Sequence, residues 1–179
     1  MKTLEDQLSN YAAYHRDSRN IATHFVGIPL IVVAVAVLLS RPAIVLGGGL
    51  PSISAALVAA VVTAAYYLRL DLRLGALMAV LLALSVAFGA WSAAQSTSLW
   101  LAIGVGGFVA GWVIQFIGHV FEGRKPAFVD DIMGLIIGPL FVVAEAVFLL
   151  GLREPLRQHI EARVGKIRRA PGASAASQA

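Results

Sequence analysis

From Leu74 to Phe121 the chain carries no aspartate, glutamate, lysine or arginine, and this uncharged run limits the possible folds more than any other feature. A helix rises about 1.5 Å per residue, so the run is far too long for one crossing of a hydrocarbon core roughly 30 Å thick. The polar SAAQSTS, Ser92–Ser98, offers a turn in its middle. It therefore reads as two spans, near Leu74–Ala94 and Leu99–Phe121. Further apolar blocks run over about Ile21–Leu39, Ile53–Leu68 and Ile132–Leu152. With 59% hydrophobic residues in 179, a soluble domain could not bury so much apolar surface. Apolar blocks without alternation point to membrane helices. The expected fold is an all-α integral membrane protein with four transmembrane helices, a broken re-entrant helix pair and an N-terminal amphipathic helix. Residues 1–169 are expected to form one membrane domain and 170–179 a disordered tail.

The first twenty residues, MKTLEDQLSNYAAYHRDSRN, are polar and lack a cleavage pattern, so they do not read as a signal peptide. Leu4, Leu8, Tyr11 and Tyr14 follow helical spacing, with Thr3 as a cap. Such a helix is expected to lie on the membrane surface.

Basic residues set the expected topology. Lys2, Arg16 and Arg19 precede the first span, Arg69 and Arg73 separate the second and third, and Arg124 and Lys125 follow the fourth. Four crossings place them all on one side, which the positive-inside rule makes cytoplasmic; only Arg41 falls opposite. A fifth full crossing would export the most basic segment, from Arg153 to Arg169. The fifth block is therefore expected to dip in and return, broken at Gly138–Pro139, where proline removes a backbone donor. Both termini are then cytoplasmic, in the inner membrane of a bacterium or the endoplasmic reticulum of a eukaryote. The net charge of +4 is small and flanks the spans, which argues against nucleic acid as a partner. The absence of cysteine excludes disulfides, zinc–thiolate sites and thiolate catalysis.

Polar residues at the ends of two apolar blocks carry the chemistry. Gln115, His119 and Glu122 are spaced four and three apart, so they share one helix face, and facing lipid would be costly. In YHRDSRNIATH, His15 and His24 would lie on opposite faces of one straight helix. Asp17 and Ser18 are capping residues, however, and a break there makes a corner on which both imidazoles converge. Three imidazoles with a nearby carboxylate suit Fe(II), Zn(II) or Mn(II). The expected ligands are His15, His24 and His119, with Asn20, Gln115 and Glu122 orienting them through hydrogen bonds. Arg124 and Lys125 could meet a substrate carboxylate. Simpler roles stand beside these. Interfacial histidines can be amphipathic anchors, Glu122 can pair with Arg124 or Lys125, and those two cations can be topology charges. Asp130 and Asp131 read as caps of the re-entrant helix. Glu145 reads as a buried hydrogen-bonded group or part of a proton path, and His159 lies in the amphipathic surface stretch REPLRQHIEAR.

At these residues the chain resembles the membrane 2-hydroxy fatty acid dioxygenase family, whose fungal member acts in phytosphingosine breakdown. The family's Tyr-His pair, followed by an Asn four residues before a second His, is similar to Tyr14, His15, Asn20 and His24. Its Gln-Phe-x-Gly-His signature with Phe-Glu and Pro-Ala is similar to Gln115, Phe116, Gly118, His119, Phe121, Glu122, Pro126 and Ala127. A later Asp, Pro and Glu match Asp130 or Asp131, Pro139 and Glu145. The resemblance extends to about Leu152. It implies an Fe(II)-dependent α-oxidation in which a 2-hydroxy fatty acid and O₂ give the fatty acid one carbon shorter, without a 2-oxo acid cosubstrate. The implied partners are that substrate, O₂ and membrane lipid. Three other readings stand: a small proton-coupled transporter using Glu145, Asp131 and the histidines, a zinc-dependent lipid hydrolase, and a scaffold associating through the glycines of the fourth span. Against the transporter, the chain shows no internal repeat.

Overall fold

A computed structural model describes residues 2–44 and 52–168; the expected tail, 170–179, lies outside the described residues. The helices are α1 (Leu4–Ala12), α2 (Ser18–Leu38), α3 (Ala55–Leu70), α4 (Leu72–Ala93), α5 (Thr97–Leu101), α6 (Gly107–Glu122), α7 (Gly134–Leu149) and α8 (Glu154–Val164). A π-helical turn, Ala102–Gly106, joins α5 to α6, so that Thr97–Glu122 is one long apolar helix. Among the described residues, three helices are long and apolar enough to cross a membrane: Ser18–Leu38, Leu72–Ala93 and Thr97–Glu122. Where the second crossing was expected lies a shorter apolar helix, Ala55–Leu70. The described residues form two compact units, one within 1–28 and 113–168 and the other within 29–112.

In the unit 29–112, α3 and α4 pack as an antiparallel pair hinged at Asp71. The Asp71 side chain accepts from the Arg73 and Leu74 amides and so caps α4. Two short strands, β1 (Ala43–Ile44) and β2 (Ile53–Ser54), pair antiparallel before α3, where the sequence suggested only a turn and the start of a span. Ser54 then accepts from the Leu57 amide and starts the helix. Val58, Val61, Val62, Val80 and Leu84 are exposed, as a lipid-facing surface requires.

The unit within 1–28 and 113–168 carries every candidate site residue. Thr3 and Asp6 close a capping box on α1, each side chain bonding the other's amide. Leu4, Leu8 and Tyr11 are buried, and α1 packs on α7 and α8. Protein, not bilayer, therefore covers the face that the sequence assigned to the membrane surface.

The fifth apolar block does break, but not at Gly138–Pro139. Helix α7 runs through Pro139 to Leu149. Proline there removes the amide that would bond the Leu135 carbonyl, yet the helix continues past it. Gly138 serves packing instead: a Cβ at that position would come 2.9 Å from the Tyr11 hydroxyl. The bend of 116° lies between α7 and α8. The Gly151 amide bonds the Phe148 carbonyl and the Leu152 amide bonds the Val147 carbonyl, closing a Schellman cap with Gly151 at φ 72°. Pro155 then opens α8. Asp131 accepts from the Met133 amide and shapes the turn before α7, without capping the helix itself.

Candidate metal centre

Helix α1 ends at Ala12, and the chain turns twice more, with the Tyr14 and His15 amides bonding the Tyr11 and Ala12 carbonyls. Asp17 then accepts from the Arg19 amide at 2.9 Å and caps α2. This is the corner expected from the sequence, and it brings His15 and His24 together. The third histidine, His119, sits one turn after Gln115 on α6. Gln115, His119 and Glu122 are all buried, while Val113, Phe116, Ile117, Val120 and Phe121 on the other faces are exposed.

His15, His24 and His119 are buried, and each offers a ring nitrogen within 4.8 Å of the others. Ring centroids lie 4.5 Å apart for His15 and His24, and 5.1 Å from each of these to His119. Tyr11 stacks on His15 at 4.1 Å and 5°, and Phe141 packs against it at 5.7 Å. His15 Nδ1 donates to the Tyr11 carbonyl and His24 Nδ1 to the Asn20 carbonyl, both at 2.8 Å. A carbonyl only accepts, so each Nδ1 carries a proton and each neutral ring keeps its lone pair on Nε2. Burial, with His24 beside it, holds His15 well below the usual imidazole range, which keeps that ring neutral.

The donor set fits a metal ion. The two Nε2 atoms lie 2.9 Å apart, where bare lone pairs repel. That separation suits neighbouring positions about one ion with nitrogen bonds of roughly 2.0–2.1 Å. His119 Nδ1 is buried without a hydrogen-bond partner among the described residues. Three imidazoles suit zinc, iron and similar borderline ions.

Glu122 holds the corner. Its Oε2 accepts from the Arg16 amide at 3.0 Å, the Asp17 amide at 2.8 Å and Asn20 Nδ2 at 3.1 Å. Its Oε1 accepts from Arg168 at 2.7 Å. With both oxygens engaged, the carboxylate organises the chain that presents His15, and its pairing is with neither Arg124 nor Lys125.

Residues 1–150 match the family described as 2-hydroxy-palmitic acid dioxygenase Mpo1-like. The chain belongs to this family. It is also similar to the 2-hydroxy-palmitic acid dioxygenase MPO1 of Saccharomyces cerevisiae, with 32% identity over 160 residues, 88% of this chain and 87% of that protein. No solved structure matches it.

The remaining predicted residues of this Mpo1-like chain are placed as follows. Asn20 orients His24 through its backbone carbonyl and reaches Glu122 with its side chain. Gln115 is buried beside His119, its Oε1 without a hydrogen-bond partner among the described residues. Arg124 donates to the Ala13 carbonyl, and Lys125 pairs with Asp130 at 2.6 Å. His159 is exposed on α8 and is not one of the three clustered histidines. Glu145 is buried and lies 3.7 Å from Arg16. Sequence reasoning missed Arg16 and Arg168, both taken as topology charges, and Tyr11, whose spacing of four before His15 was the available signal.

Proposed function

We propose that the chain is an Fe(II)-dependent dioxygenase that converts a 2-hydroxy fatty acid and O₂ to the fatty acid one carbon shorter. Family membership and the likeness to the yeast enzyme support the reaction class. The observation that carries the chemistry is the mutual reach of the His15, His24 and His119 ring nitrogens. The overall change balances with one O₂. The bond between C1 and C2 breaks, C2 becomes the new carboxyl carbon, and C1 leaves as CO₂ with one water. O₂ takes up all the electrons the two carbons release, so no second oxidisable acid is needed.

Bound iron would supply a template for the hydroxy-acid head and redox capacity toward O₂. The protein's part is to prepare that place. The Tyr11 and Asn20 carbonyls fix the Nδ1 protons, which leaves Nε2 free on both rings. Stacking by Tyr11 and packing by Phe141 fix the plane of His15. Burial of all three rings keeps bulk water away. Arg124 and Lys125, exposed just past Glu122, are positioned to exchange their present partners for the substrate carboxylate, while the acyl chain stays among apolar helices. The site and both termini then face the cytoplasm.

Metal analysis of anaerobically purified protein, followed by O₂ uptake with a 2-hydroxy acid, tests this reading. About one iron per chain and uptake that depends on the 2-hydroxy acid are expected. His24→Ala and His119→Ala should each lose both properties. Full iron content and turnover in either variant would refute the assignment. Zinc with ester hydrolysis and no O₂ uptake would favour the hydrolase, and a metal-free protein with flux dependent on Glu145 the transporter.

A further inference from the structure

Beyond α8 the chain returns to the corner that carries His15. Arg168 and Asp17 form a parallel bridge. The Arg168 amide donates to the Arg16 carbonyl at 2.7 Å, and the Ser18 amide to the Arg168 carbonyl at 3.0 Å. Arg16 Nη1 donates to the Gly165 carbonyl at 3.0 Å. Residues 165–168 thus lie as a strap along residues 16–18. The strap also reaches the site through an ion pair, Arg168 Nη2 to Glu122 Oε1 at 2.7 Å. The Glu122 side chain is 1% exposed and that of Arg168 is 62% exposed, so a surface cation reaches in to a buried anion. This segment lies beyond residue 150, where the family match ends.

We propose that Arg168, acting through Glu122, is a positioning residue for the His15–Asn20 corner, and that the strap holds His15 against His24. The inference rests on the metal reading given above. Glu122 Oε2 collects three neutral donors from the corner, and a buried carboxylate holds such donors more firmly when a cation in contact offsets the cost of burying its charge. Arg168 supplies a cation in direct contact. Without it the carboxylate loses its direct ionic partner and is drawn toward water, which loosens the Arg16 and Asp17 amides. Those amides immediately follow His15, so the ring most dependent on the turn loses its fixed approach to His24.

The test compares wild type, Arg168→Ala, Arg168→Lys, Glu122→Gln and the Glu122→Gln/Arg168→Ala pair as full-length, detergent-solubilised protein. Anaerobic Fe(II) affinity is read by competition with a chromophoric chelator. Amide hydrogen exchange over residues 15–18 is followed in the metal-free protein. Arg168→Ala is expected to weaken Fe(II) by about 10–100-fold, the usual effect of losing a group that supports a ligand, and to speed exchange at Arg16–Ser18. Arg168→Lys, which keeps the charge, should restore most of the affinity. In the Glu122→Gln background, Arg168→Ala should add less than about twofold. Arg168→Gln replaces the alanine variant if that one fails to fold. Unchanged affinity and exchange in Arg168→Ala, or a loss as large in the Glu122→Gln background as in wild type, overturns the proposal. Wild type that binds no Fe(II) overturns the metal reading itself, whereas binding by wild type and Arg168→Ala alike overturns only this inference.

Discussion

His15 and His24 hold their Nε2 atoms 2.9 Å apart, although both rings already donate from Nδ1 to backbone carbonyls. A bound cation turns that repulsion between lone pairs into shared ligation, so metal should contribute to folding free energy. A ligand at a hundred times its dissociation constant stabilises by about 2.7 kcal/mol. Chelation of the loaded protein should remove a term of that size, read as a lowered thermal midpoint in detergent. His24→Ala should show no response to chelator. Identical melting of wild type with and without chelator would sink the expectation.

Gly118 precedes His119 and faces α2. A Cβ there would lie 2.5 Å from Asn20 Oδ1 and press on Thr23 Oγ1. Thr23 is held in place, its hydroxyl donating to the Asn20 carbonyl at 2.7 Å. The same carbonyl accepts from His24. Gly118→Ala should therefore push α6 from α2 exactly where two ligands meet, costing about 1–3 kcal/mol as overpacking does. Metal affinity should fall alongside stability. Ala substitution at Gly123, where a Cβ meets nothing within 4 Å but φ is +69°, should strain the turn without touching α2. Metal titration of the two variants separates the effects, and equal affinities for Gly118→Ala and wild type would contradict the close-approach argument.

The corner was legible because its signals are local. Asp17 and Ser18 are capping residue types, of which Asp17 caps α2, and the spacing of His15 and His24 makes sense only across a break. The buried face of α6 was legible from the spacing of Gln115, His119 and Glu122. The site of the second break was not. Gly138–Pro139 is the stronger dipeptide signal, but α7 continues through Pro139, and the cap at Gly151 depends on bonds to Phe148 and Val147 that only the folded end shows. Arg16 and Arg168 were misread for a different reason. Each is defined by an acidic partner far along the chain, Glu145 for Arg16 and Glu122 for Arg168, and a basic residue beside an apolar block looks the same whether it meets lipid headgroups or a buried carboxylate.

Arg16 and Glu145 are both buried, with 3.7 Å between Nη2 and Oε1, and Arg16 Nη2 makes no hydrogen bond among the described residues. Removing one member of such a pair strands the other. Glu145→Ala should cost about 3–5 kcal/mol in the metal-free protein, measured by denaturant unfolding in detergent. Adding Arg16→Met to Glu145→Leu should recover part of that loss, because no buried charge is then left alone. Recovery stays partial, since Arg16 also donates to the Ala12, His15 and Gly165 carbonyls. A double variant no more stable than Glu145→Leu alone would show that the pair is not coupled.

Asp6 ties α1, and with it the approach to His15, to α8. Its Oδ1 accepts from Arg163 at 2.7 Å and its Oδ2 from the Thr3 amide at 3.2 Å. The Arg163 hydrogen bond, followed by the bonds to Thr3, lowers the carboxyl to about 2. In the unfolded chain an aspartate titrates near 3.9. The unfolded state therefore takes the proton first as pH falls, and stability drops with it. The contribution is complete above about pH 4 and is lost on the way down to about pH 2. Asp6→Asn should remove this part of the acid slope while lowering stability at neutral pH, as melting curves between these limits would record. The pair is exposed, so added salt should shrink the difference. Superimposable acid slopes for wild type and Asp6→Asn would mean that α1 is held by its buried Leu4, Leu8 and Tyr11 alone.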